Sequence, residues 1–490
     1  MHHERGITIM LVLAFMGIFT LVLGAITSYS FMQARYGRAL FAREQAFQIA
    51  EAGLEHFRWY LAHNPGILET GQGMPNPMSY VVEDPEAGRI GEATIMTVFN
   101  TSCEVPQYLD VYSEGRADRN PSFVRTLAAR YTRQSVAGYS FIVNQNVWAG
   151  SDRVITGPFH SNGGVRMDGL NNADVTSSVA TWICDATFGC DPTDAAAPGV
   201  FGSGSGSALW SYPVPQISFD NIGSDYAMLK GVGYARGMYF SGTTTRSQGN
   251  SQGASHASVN ATDRRGYHVV FNADGSISVY RVSNTVGVSG YNANRVPQWG
   301  TDYDIIQNEH HVGTFTPPGD CPVIYMNSKT WIDGTVNGKY ALIVADTGPF
   351  SADVILNGNL SYATTDGTSG LTVIAERDIR IPLVSPDQMS IRGIFIAQEG
   401  YFGRNYYTTS GSNQVPAQYD EYVERDSLTT IGTVVSNQRV GTKWLCGTPG
   451  TFCSGYETRT DSYDRVLAFN PPPFTPFASE DYEITLWREE

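Results

Sequence analysis

The stretch ITIMLVLAFMGIFTLVLGAIT, residues 7 to 27, decides how the rest of this chain is read. Its twenty-one residues carry no charge, and a helix of that length crosses a bilayer. His2, His3 and Arg5 precede it. A cleaved secretory signal opens in the same way, with a short positive region and an apolar run, but it ends at a small-x-small site. Here the helical pattern continues through Ser28 to about His63 without a proline and with few glycines.

Beyond the apolar run, Tyr36, Leu40, Phe47, Ala50, Leu54, Phe57 and Leu61 recur at three- and four-residue steps and form a stripe on one helix face. Arg43 interrupts it. Asn64-Pro65-Gly66 then stops the helix, because the residue before proline is pushed out of the helical region and glycine permits a turn. From Ile7 to His63 such a helix is roughly 85 Å long at about 1.5 Å per residue. Its first half (7–28) is read as membrane-spanning. Its second half (29–65) is read as amphipathic, free to lie against its own globular part and to hold neighbouring helices.

These residues carry a resemblance. Arg5-Gly6 followed at once by an apolar helix resembles a type IV prepilin leader (1–6), which implies cleavage between Gly6 and Ile7 by a prepilin peptidase. The stretch ALFAREQAFQIAEAGLEHF, residues 39 to 57, is similar to the outer helix half of PilX-type minor pilins and of the large K-type pseudopilins of type II secretion. Major pilins place a glutamate at the fifth mature position, where this chain has Leu11. The resemblance therefore implies a minor, initiating or tip-located subunit that meets membrane lipid through residues 7–28 and other pilin-like subunits through the helix. It covers roughly the first 65 residues. An ordinary single-pass anchor has the same hydropathy. Arg35, Arg38 and Arg43 on the far side of the span run against the positive-inside tendency for an anchor with its head outside.

The whole chain has 490 residues, more than one hydrophobic core normally serves, so two or three units are expected. Charged residues are only 16%, while 51 glycines, 27 tyrosines and 23 phenylalanines favour sheets joined by tight turns. A formal net charge of -15 argues against a sequence-independent grip on nucleic acid, and no nucleic-acid partner is expected. The six cysteines suit an oxidising compartment. Cys184 with Cys190 and Cys446 with Cys453 each bracket a short loop, leaving Cys103 with Cys321 as the long-range pair. A zinc site competes with this reading, but neither local pair has the two-residue gap of a zinc knuckle.

The fold class expected is α+β. Alternating segments between Met78 and Ala137 (SYVVED, EATIMTVFNTS, YLDVYSEGRAD, VRTLAARYTRQ) predict an antiparallel meander in the region 66–137, the usual partner of a pilin helix. From 138 to 490 the pattern changes to short apolar strands that end at Gly or Asn, such as FIVNQNVWAG, DVILNGNLSY and IRGIFIAQEGYFG. Short strands without covering helices can stack as rungs of a parallel β-helix or solenoid. A β-sandwich with long insertions is the alternative. YHVVFNADGSISVYRV (267–282) predicts a hairpin excursion turning at Asp274-Gly275, and the tail from Tyr463, with its final strand EITLW, predicts a cap over the head.

Motifs for chemistry are sparse. His310-His311 would point to opposite faces of a strand, poor geometry for one metal. His160 and Ser161 in GPFHSNG read as turn chemistry rather than as base and nucleophile. Asp274, Asp346 and Asp366 offer oxygens without completing a calcium loop, and the sequons at Asn100, Asn260 and Asn359 are short patterns. No cofactor or metal is expected, and the chain is read as a non-enzyme. Trp148, Trp210, Tyr401, Phe402, Tyr406 and Tyr407 sit in or beside Gly/Asn-rich loops, where aromatic rings stack on a surface glycan, anchor a protein ligand or plug the ends of the stack. Three functions follow: a minor pilin with a head for adhesion or assembly, a non-polymerising membrane adhesin, and a surface polysaccharide-active enzyme on a β-helix.

Overall fold

The computed structural model describes residues 4–64, 74–86, 88–240, 266–293, 297–345, 352–447 and 450–490. The chain divides into two compact units, one comprising 1–101, 106–132 and 484–490, the other 102–105 and 133–483.

The first unit is built on α1 (Glu4–His63), one helix that runs past Ser28 without a break. It ends as expected at Asn64, whose N–H is held by Leu61 O at 3.1 Å; Pro65 and Gly66 lie outside the described residues. Four strands follow, β1 (Met78–Asp84), β2 (Gly88–Ser102), β3 (Val105–Ala117) and β4 (Val124–Ser135), adjacent in that order. The pairs β1/β2 and β3/β4 are antiparallel. Burial along β2 alternates, with Gly91, Ala93, Ile95 and Thr97 inward, as the period-2 pattern requires. Ala50, Leu54, Phe57 and Leu61 of the helix pack with Ile95, Leu109, Val111, Leu127 and Tyr131 of the sheet.

One expectation is corrected here. The final strand, Phe477–Glu489, is the fifth strand of this sheet beside β4, not a cap over the head. Its alternating polar and apolar residues marked a half-buried strand, but nothing in one sequence names the edge it joins.

The second unit is mostly parallel strands. Ten of its described strands form one ladder in a single register: Met238, Ile324, Leu342, Val373, Phe395, Val434, Phe141, Phe159, Val175 and Trp210 occupy the same position on successive strands. A second parallel ladder joins Gly266–Phe271, Thr330–Val336, Val354–Tyr362, Ile379–Arg380 and Phe402–Gly403. A third runs through the first halves of Gln388–Ala397 and Glu424–Ser436 to Thr451–Ser462, Arg153–Thr156 and Leu170–Asn171. The interior between them is aliphatic and aromatic. The outward side of the first ladder is also covered, because Ile142, Tyr325, Ile343, Ile374, Ile396 and Val435 pack with Leu229 of the short helix Tyr226–Ala235 and with Leu467. Strands buried on both faces read as continuous apolar runs, as LIVA (342–345) does.

The order of the first ladder does not follow the chain. It begins in the middle at Phe141, reaches Trp210, restarts at Met238 at the opposite end and closes with Val434 paired to Phe141. Asparagine side chains mark the joint. Asn162 Nδ2 donates to Asn144 Oδ1 at 2.8 Å, and Asn144 Nδ2 donates to Asn437 Oδ1 at 2.7 Å.

The hairpin excursion also needs correction. Gly266–Phe271 does turn at Asp274-Gly275, where Gly275 has φ 89°, and pairs antiparallel with Ile277–Asn292. The same strand is a member of the second parallel ladder. The excursion is instead the long antiparallel ribbon Ile277–Asn292 with Gln298–Phe315.

Disulfides join Cys103 to Cys321, Cys184 to Cys190 and Cys446 to Cys453. The first closes a loop of 218 residues and so removes the most chain entropy from the unfolded state.

Within the first unit, Gly115 lies so close to the helix that a Cβ there would overlap Ala46 O and Ala50 N. Gly115→Val should therefore lower the stability of this unit by about 1–3 kcal/mol, read as an earlier thermal transition by circular dichroism. Gly300→Ala, which meets open space, should leave that transition in place.

Candidate functional site: the exposed half of the helix and the clamped ribbon

The helix changes character near Ala42. From Ile9 to Phe41 its large apolar side chains are exposed, among them Phe15, Phe19, Leu21, Phe31 and Met32. An 18-residue window in this half reaches a mean hydropathy of 2.7, long and apolar enough for a candidate membrane anchor. Both threonines of its apolar core are satisfied within the helix: Thr20 Oγ1 donates to Met16 O and Thr27 Oγ1 to Leu23 O, both at 2.9 Å. That is the arrangement a hydrocarbon solvent demands. Tyr36 and Leu40 are 63% and 43% exposed, so these two members of the predicted stripe are not covered by this chain. Phe47 is half-buried, while Ala50, Leu54, Phe57 and Leu61 are buried. Ala42, Ala46, Ile49 and Gly53 complete the packed face. Together with Ala50, the three small ones recur at four-, four- and three-residue steps, a stripe of small residues beside the stripe of large ones.

In the second unit, the ribbon is fastened to the stack by buried charge. Lys329, Asp353, Asp378 and Tyr401 each immediately precede a strand of the second ladder. Asp304 of the ribbon receives Lys329 Nζ at 2.5 Å and Arg380 at 2.8 Å. Arg380 also reaches Asp353 at 3.1 Å, and Arg377 Nε donates to Asp353 at 2.6 Å. The ribbon's backbone joins in, with Trp331 Nε1 donating to Asp304 O at 2.6 Å. Burial opposes charge on Asp304, but Arg380 and Lys329 outweigh it and hold the carboxyl below the usual range. Burial, with the Asp304 charge nearby, pushes Asp302 up instead. Asp302 accepts hydrogen bonds from Asn405 at 2.8 Å and Tyr407 at 2.9 Å.

His268 makes a second fastening. Its Nδ1 lies 2.9 Å from Glu309 of the ribbon and its Nε2 3.0 Å from Asp333 of the second ladder. Two carboxylate acceptors require both ring nitrogens to donate, so the ring is the imidazolium. Burial disfavours that cation, yet Asp333 and Glu309 together raise the His268 pKa above its ordinary value. Asp333 is held below the usual carboxylate range: burial opposes, and His268 and Asn357 prevail.

The other singled-out residues are engaged in the fold. His160 is buried between Thr176 Oγ1 and Asn162 Oδ1, each at 2.9 Å, and Ser161 Oγ donates to Gln145 O at 2.8 Å, so the two do not form a base and nucleophile pair. His310 and His311 are exposed on the ribbon. Asp274 and Asp366 accept from the N–H groups of Ser276 and Thr368 as turn caps. Asp346 and Asn260 lie outside the described residues. Among the described residues no three His, Cys, Asp or Glu side chains are gathered as metal ligands. Tyr401, Phe402 and Tyr407 are buried, whereas Trp148, Trp210 and Tyr406 are half-buried.

No protein-family model and no curated protein matches this chain. Among solved structures it is matched to the competence-associated pilin ComZ from Thermus thermophilus, at 13% identity over 92% of this chain and 97% of that one. The TM-score of 0.29 is too low for that likeness to carry an argument.

Lys329→Ala leaves Asp304 buried with one cation fewer, and the head should lose about 3–5 kcal/mol, seen as an earlier denaturant transition. The His268 clamp has a distinct pH signature. Its native pKa lies above the unfolded value of about 6.5, so its contribution is full below about pH 6.5 and is lost as pH rises through the native value. Amide exchange in Ile277–Phe315 should accelerate with pH beyond the intrinsic rise, and His268→Gln should remove that excess.

Proposed function

We propose that this chain is a minor, pilin-like subunit: a membrane-anchored surface protein whose helix enters a type IV-like assembly and whose head serves adhesion or assembly. The observation that carries this reading is the single unbroken helix with two kinds of surface. Its exposed stretch from Ile9 to Phe41, uncharged to Thr27 and carrying Gln33, Arg35 and Arg38 beyond it, is about 50 Å long at about 1.5 Å per residue, against a hydrocarbon core of about 30 Å. Lipid therefore covers only part of it. Tyr36, Leu40 and Phe41, with Arg35 and Arg38 beside them, suit the helices of other pilin-like subunits. A free-standing adhesin would leave that stretch in water. Arg5-Gly6 and the 39–57 segment support processing by a prepilin peptidase, insertion in the inner or cell membrane and a head outside the cytoplasm, and they support the PilX- and K-type likeness.

We read the head as a parallel β-helix. Parallel ladders in shared register favour that over a sandwich, whose strands pair in opposed antiparallel sheets. A polysaccharide-active enzyme would need two carboxylates facing one cleft, and the buried Asp302, Asp304, Asp353 and Asp461 are instead occupied by cations, amide or phenol groups of the fold. That favours a binding rather than a catalytic head.

Mass spectrometry of the membrane-extracted chain should find a mature N-terminus at Ile7 carrying one added methyl group, and Gly6→Ala should retain residues 1–6. A native membrane form that keeps those six residues would end the pilin reading.

A further inference from the structure

Four aromatic rings from three separate segments meet at the far end of the ribbon. Tyr291 and Trp299 come from its two strands, Tyr406 from the loop after Phe402–Gly403, and Trp444 from the hairpin closed by Cys446–Cys453. They form an edge-to-face row, Tyr291 to Trp299 at 5.7 Å, Trp299 to Tyr406 at 5.7 Å and Tyr406 to Trp444 at 5.9 Å between centroids. Trp299 is 36% exposed and the other three are half-buried.

Tyr291, Tyr406 and Trp444 are held from behind. Tyr291 and Tyr406 exchange both backbone hydrogen bonds, at 2.9 and 3.1 Å. Trp444 Nε1 donates to Arg404 O at 3.1 Å. The Arg404 guanidinium is fully buried and donates to Val423 O, Leu383 O and Tyr422 O, which fixes the loop that carries Tyr406. Asp302, below the row, holds Asn405 and Tyr407. A row this well set in advance loses little freedom on binding.

Among the described residues the borders of the row are uncharged; Arg295, which lies between Tyr291 and Trp299 in sequence, falls outside them. Ser289 and Thr301 share the ribbon face of Tyr291 and Trp299, Asn292 on the other face donates to the Tyr401 hydroxyl at 3.2 Å, and Tyr407 leads in sequence into Thr408-Thr409-Ser410-Gly411-Ser412-Asn413-Gln414, a charge-free loop closed by Val415 N–H on Thr408 O at 2.9 Å. The neighbouring cations face elsewhere: Arg404 is buried among carbonyls, and Lys443 Nζ binds Glu457 O and lies 3.4 Å from Asp152. Leu445 is a large exposed aliphatic residue next to the row. Aromatic rings bordered by hydroxyls, with no charge among the described residues beside them, match the C–H faces and hydroxyl edges of a sugar chain.

We propose that the Tyr291–Trp299–Tyr406–Trp444 row is a binding platform for a neutral glycan. The proposal rests on the reading of the head as a binding module and is independent of whether the helix polymerises. The full chain, purified in detergent, is tested by affinity electrophoresis in gels containing dextran, mannan, starch or galactan, with alginate and heparin as acidic counterparts. At least one neutral polymer should retard the chain. Trp299→Ala should weaken that retardation at least tenfold, Trp299→Phe should restore much of it, and Trp59→Ala, at an exposed aromatic of the helix, should leave it unchanged. Because Trp299 is at the surface, circular dichroism of Trp299→Ala should match the parent. Retardation by none of the neutral polymers, by the acidic ones alone, or equally for Trp299→Ala would overturn the proposal, and so would a protein ligand that competes for Trp299 while no glycan does. The mature N-terminal mass decides the pilin reading separately.

Discussion

The joint between Glu424–Ser436 and Phe141–Val143 is the constraint on which the head depends. Every internal strand of a parallel ladder needs a partner on both edges, because a buried N–H or C=O left alone costs free energy comparable to a lost hydrogen bond. Phe141–Val143 finds one partner nearby in sequence, Phe159–Ser161, and the other almost at the chain's end. Asn144 repeats the choice at side-chain level, reaching Asn162 on one side and Asn437, 293 positions away, on the other. The two series of strands share one interior through this contact and through the pairing of Thr451–Ser462 with Arg153–Thr156. Contacts of such separation are slow to form, since chain closure must precede any return from the contact.

The helix has two kinds of surface. Ala42, Ala46, Ala50 and Gly53 let the sheet approach its backbone, which is why Gly115 has no room for a side chain. Before Ala42 the same helix carries Phe, Leu, Ile and Met with nothing of this chain over them. An exposed apolar surface of that length is unusual for a protein in water; it is ordinary for a helix whose surroundings are lipid and other helices.

Much of this was legible in the residues because it depends on local patterns. The helix from Ile7 to His63, its stop at Asn64, the four alternating strands after Met78 and the two short disulfide loops all follow from spacing within a few turns or strands. What escaped depends on partners far along the chain. EITLW reads equally well as a cap or as an edge strand, and no local feature states that it lies beside β4. The closing of the first ladder was missed although VVSN, FIVN and FHSN, ending at Asn437, Asn144 and Asn162, place the same kind of residue at the same corner. The aromatic row was half visible. Tyr406 was singled out by its Gly/Asn-rich loop, while Trp299 and Trp444 were passed over because their segments resembled ordinary strands; only the disulfide and the ribbon bring them together.

The membership of the final strand has a further consequence. Residues 484–490 belong to the same compact unit as the helix, so the stretch 133–483 is an insertion between two edges of a small helix-and-sheet module. In chain order that fifth strand comes after the whole insert. The small module therefore stays open-edged until the entire inserted body has been made and its two ends have come back within reach of each other. Until that strand pairs, β4 is an open edge, the part of a sheet most prone to pairing with another chain.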